Sequence, residues 1–60
     1  MSTIYNPEAD TIAEIERMEL ECRDIRRRIE HVRTEADKRV MNKQLEELKA
    51  QIEFLRARLP

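Results

Sequence analysis

The sequence predicts an all-α fold: an antiparallel two-helix hairpin of coiled-coil type that dimerises into a four-helix bundle. Three observations point there. Apolar residues form two heptad seams, Ile15, Met18, Cys22, Ile25, Ile29, Val32 and then Met41, Leu45, Leu48, Ile52, Leu55, Leu59, with steps alternating between three and four. The nine residues from Val32 to Met41 break the phase between them. The chain has no Gly, only Pro7 and Pro60, and 42% charged residues, a composition of long amphipathic helices.

The first six residues, 1–6, read as a short tail in which Ile4 and Tyr5 are available for packing. Helix 1 is expected over 7–33. Asn6 suits its N-cap and Pro7 its first position, while Glu8 and Asp10 favour the positive end of the helix dipole. Helix 2 is expected over 35–58, after a turn near 34–36. Thr34 can cap it, with Asp37 three residues on as a weak capping box. Residues 7–60 are then one helical-hairpin domain.

A single straight helix cannot use both seams. Ile15 and Leu45 are 30 residues apart. At about 100° per residue they point roughly 120° apart. A hairpin pairs a positions with d positions: Ile15 with Leu55, Met18 with Ile52, Cys22 with Leu48, Ile25 with Leu45, Ile29 with Met41. That register folds the chain back near Glu35, inside the phase break. It also brings Glu14 near Arg58, Glu19 near Lys49, Glu21 near Gln51 and Arg28 near Gln44, with no like-charge clash. A parallel pair of first helices would set Glu14 against Glu19 and Arg28 against Arg33. Each contact is worth only a few tenths of a kcal/mol, so their use is in choosing orientation. A straightened hinge would give a domain-swapped dimer with much the same contacts.

Sixty residues cannot bury a large core alone, so the fold needs disulfides, a metal or self-association. Cys22 is the one cysteine and His31 the one histidine, which leaves neither a bridge nor a ligand set. No metal or other cofactor is expected, and self-association is. Apolar residues off the seam, Ile12, Ala13 and Leu20 on helix 1 and Val40, Ala50, Phe54 and Ala57 on helix 2, are candidates for that surface or for docking another protein. Phe54 and Leu20 are the candidate anchors.

Charge is unevenly spread. Residues 1–22 carry Arg17 against six acids, residues 23–43 carry eight bases against four acids, and residues 44–60 carry three of each. The eight bases, Arg23, Arg26, Arg27, Arg28, Arg33, Lys38, Arg39 and Lys43, are gathered by the fold-back at one end. They are candidates to bind an anion such as RNA, DNA or a nucleotide. Their bland alternative is a solvated face with local partners: Asp24 for Arg28, Glu30 for Arg33, Glu35 for Arg39. No aromatic residue lies nearby to stack a base.

Catalysis has no support: there is no phosphate loop, zinc spacing or Ser/His/Asp set. Cys22, at an a position, reads as a small buried hydrophobe, and His31 as a solvent-side residue near the turn. No apolar run spans a membrane and no secretory signal opens the chain, so a cytoplasmic protein without a membrane partner is expected. The leading expectation is a non-enzymatic interaction or regulatory module acting through the helical faces of a homodimer. The alternative is an anion binder using the arginine-rich end.

Overall fold

The computed structural model describes residues 7–60 as two α-helices, α1 (Pro7–Glu30) and α2 (Glu35–Ala57), packed on each other as a hairpin. Asn6, Ile4 and Tyr5 lie outside the described residues. No strand occurs among the described residues, and none of their helices is long and apolar enough to cross a membrane.

The turn falls earlier than expected. α1 ends at Glu30, not Arg33, and the linker is 31–34 in place of 34–36. α2 ends at Ala57, one residue short of the expected Arg58. The cause of the early turn is local. The amides of His31 and Val32 donate to the carbonyls of Arg28 and Ile29 at 3.0 and 3.3 Å, tightening the last turn of α1. Thr34 is extended (φ −110°, ψ 146°), and its hydroxyl oxygen accepts from the Asp37 amide at 3.2 Å. Its carbonyl accepts the Lys38 amide at 3.1 Å, the first bond of α2. Thr34 is thus the N-cap the sequence predicts. No described residue has a positive φ, so this linker needs no glycine.

Both heptad seams face inward. Ile15, Cys22, Leu45 and Ile52 are buried, with Met18, Ile25, Ile29, Leu48, Leu55 and Leu59 packed against them. The core is wholly apolar, and among the described residues no polar side chain is buried. Thr11, the first polar member of the d column, donates its hydroxyl to the Pro7 carbonyl at 2.8 Å. Between the helices, Glu19 pairs with Arg56 at 3.4 Å, while the expected partner Lys49 pairs with Glu46 at 3.7 Å within α2.

Candidate functional site

The two columns of the seam are not equally covered. In a heptad, a lies beside e and d lies beside g. The central a residues Ile15, Cys22, Leu45 and Ile52 are buried, and Ile29 and Leu59 at the ends of that column are half-buried. Every d residue, from Thr11, Met18, Ile25 and Val32 to Met41, Leu48 and Leu55, is only half-buried. In an antiparallel pair the a columns share one open side and the d columns the other. The hairpin therefore has a sealed side and an apolar open side.

The flanks of these sides differ in chemistry. The sealed side is bordered by the e residues Glu19, Arg26 and Arg33 of α1 and Asn42, Lys49 and Arg56 of α2. A charged crevice runs along it, with Cys22 and Ile52 in its floor and Glu19, Arg23, Arg26, Lys49, Glu53 and Arg56 on its walls. Arg56 there also reaches Glu53 at 3.8 Å. The open side is bordered by Glu14, Glu21 and Arg28 of α1 and by Gln44, Gln51 and Arg58 of α2. Glu21, Ile25, Gln44, Glu47, Leu48 and Gln51 line one shallow groove on it. Glu21 and Gln51, expected to lie near each other, both line this groove, and Gln44 does so without Arg28, its expected neighbour.

The residues singled out as an apolar surface do not form one patch. Ile12, Leu20, Val40 and Phe54 are all exposed, Leu20 at 62% and Phe54 at 65%. Ile12 borders the sealed side. Leu20, Ala50 and Ala57 sit at outward f positions of their helices. Val40 and Phe54 occupy c positions next to the open side, and Val40 shares a depression at the turn with Val32 and Met41. The Arg58 guanidinium lies over the Phe54 ring, 5.8 Å from its centroid. Sequence periodicity treated the d residues Met18, Ile25, Leu48 and Leu55 as core and so overlooked them as surface. Gln44 and Gln51, uncharged g residues in a strongly charged chain, are the signal that marks this side.

The basic residues are all exposed. Arg28 holds Asp24 at 2.9 Å, as expected. The expected pairs of Glu30 with Arg33 and Glu35 with Arg39 do not form. α1 stops at Glu30, so Arg33 leaves the helical spacing that would place it over that carboxylate. Arg23, Arg26, Arg27, Arg33, Lys38, Arg39 and Lys43 make no ion pair among the described residues. The structure adds Lys49 and Arg56, which the sequence reading left out, beside Arg23 and Arg26 in the crevice. Cys22 is reduced and 4% exposed, and His31 is exposed at the turn.

The chain matches no known family, and no curated protein or solved structure matches it.

Proposed function

We propose that the protein is a small non-enzymatic interaction module that works as a homodimer, two hairpins joined through their open sides into a four-helix bundle. The half-buried d column is the observation that supports this reading. Full burial of a Leu, Ile or Met side chain is worth roughly 1.5–3 kcal/mol. With Met18, Ile25, Leu48 and Leu55 mostly but not fully covered, about 1–4 kcal/mol per chain is left unrealised. An isolated helical pair of this size is marginal, so that term is large on its scale. Leu20 and Phe54, outside the open side, are the contacts offered to a different protein. A cytoplasmic setting belongs to the same reading, since a lone reduced cysteine is ordinary there.

Sedimentation equilibrium tests it. The expected mass at micromolar concentration is twice the 7.3 kDa of one chain. Leu48→Glu shifts the protein to monomer, and Leu20→Glu does not. A monomeric wild type overturns the reading. Phe54→Ala is expected to leave the dimer intact and to lose partner binding.

A second reading, anion binding at the turn-proximal end, is favoured by the seven bases there that make no ion pair among the described residues. A single-stranded RNA homopolymer is then bound at low salt, with affinity falling steeply as salt rises. Arg26→Glu combined with Arg27→Glu abolishes binding. Absence of any polyanion binding at low salt removes this reading.

A further inference from the structure

We propose that the occupant of the open side is a second copy laid end for end, with its turn over the open end of the first hairpin. The inference rests on the dimer reading above and specifies its geometry. Two arrangements would cover the d columns. With turns at the same end, α1 of one copy stacks on α2 of the other. With turns at opposite ends, α1 stacks on α1 and α2 on α2, each antiparallel, about an axis at the level of Glu21 and Gln51.

The charge distribution separates the two. Residues 1–22 sum to −5, residues 23–43 to +4 and residues 44–60 to zero. The hairpin is therefore a dipolar rod, acidic along the first half of α1 and basic at the turn. Turns at the same end set +4 against +4 and −5 against −5. Turns at opposite ends set +4 against −5 twice. Opposed charges across an interface fix register and reject the wrong orientation. On the open side itself either arrangement gives Glu14 a cation, Arg28 of the other copy end for end and Arg58 of the other copy with turns at the same end, so the choice rests on the charge sums of the two ends. Gln51 meets Gln51 on the axis, and Arg58 of each copy meets the neutral Gln44 of the other. Glu21 meeting Glu21 is the one like-charge contact, and it lies at the rim. The charged crevice on the sealed side faces solvent in both copies.

Single cysteines on the open side test this through a short bis-maleimide. Gln51→Cys is expected to cross-link to itself between chains. Gln44→Cys is expected not to, because its two copies lie 14 residues apart along the stacked helices, about 21 Å at 1.5 Å per residue. Wild type, in which Cys22 is 4% exposed, is the control and does not react. Should Cys22 react, the same pair of variants is made on Cys22→Val. Helicity by circular dichroism confirms that each variant is folded. A dimer in which positions 44 and 51 cross-link equally, or in which 51 does not cross-link, overturns the orientation and leaves the dimer reading standing. A monomer by sedimentation overturns both.

Discussion

Glu19 of α1 and Arg56 of α2 lie 3.4 Å apart across the sealed side of the hairpin, and the same guanidinium reaches Glu53 one turn back on its own helix at 3.8 Å. The contact links the first half of α1 to the end of α2, so it reports the register of the pair. Both side chains are about half-exposed. A double-mutant cycle of Glu19→Ala and Arg56→Ala should give a coupling of about 0.2–1 kcal/mol, shrinking as salt rises. The charge swap Glu19→Arg with Arg56→Glu should recover most of the loss of either single change. A coupling of zero at low salt would remove this contact from the set that holds the register.

Thr34 decides where α2 begins. Its hydroxyl oxygen accepts from the Asp37 amide, one of the donors that the first turn of α2 leaves without an intrahelical partner. Thr34→Ala should cost about 1 kcal/mol, and Thr34→Ser or Thr34→Asp much less. Urea unfolding with an unchanged slope is the measurement; equal stability of the Ala and Ser variants would mean the cap contributes nothing.

The seam and the outer face should respond differently to truncation. Leu45→Ala or Ile52→Ala empties a buried a position and should cost about 2–5 kcal/mol, enough to unfold so small a domain. Phe54→Ala removes a ring that is 65% exposed and should change stability by less than about 1 kcal/mol. If Phe54→Ala destabilises as much as Leu45→Ala, Phe54 is covered in the native assembly.

A homodimer ties folding to concentration. The thermal midpoint should rise as total protein is raised, because the folded state is stabilised by its own association. Leu48→Glu, which places a charge on the half-buried d column, should both lower the midpoint and remove its concentration dependence. A wild-type midpoint independent of concentration over two decades would contradict self-association.

Sequence periodicity by itself determined most of the hairpin. The seam steps of three and four admit only helices, and every seam residue named from them is buried or half-buried in the structure. The phase break between Val32 and Met41 pointed to a fold-back, with a straightened hinge as the alternative, and Thr34 marked the cap. The end of α1 was not legible, because it depends on how the His31 and Val32 amides bond once the helices close, not on a residue type. The basic cluster was legible as a list of residues. Its pairing was not, since one turn's difference in where α1 stops separates Arg33 from Glu30.

What only the tertiary structure decided is the inequality of the two columns. A heptad pattern treats a and d alike, because both are apolar at the same mean spacing. Two helices in contact still leave each seam open on two flanks, and the way they pack decides which flank is better covered. That packing buries Ile15, Cys22, Leu45 and Ile52 and leaves Met18, Ile25, Leu48 and Leu55, with Ile29 and Leu59 at the ends of the a column, partly exposed. The candidate surface is therefore a property of how α1 and α2 pack, which no residue spacing along either helix encodes.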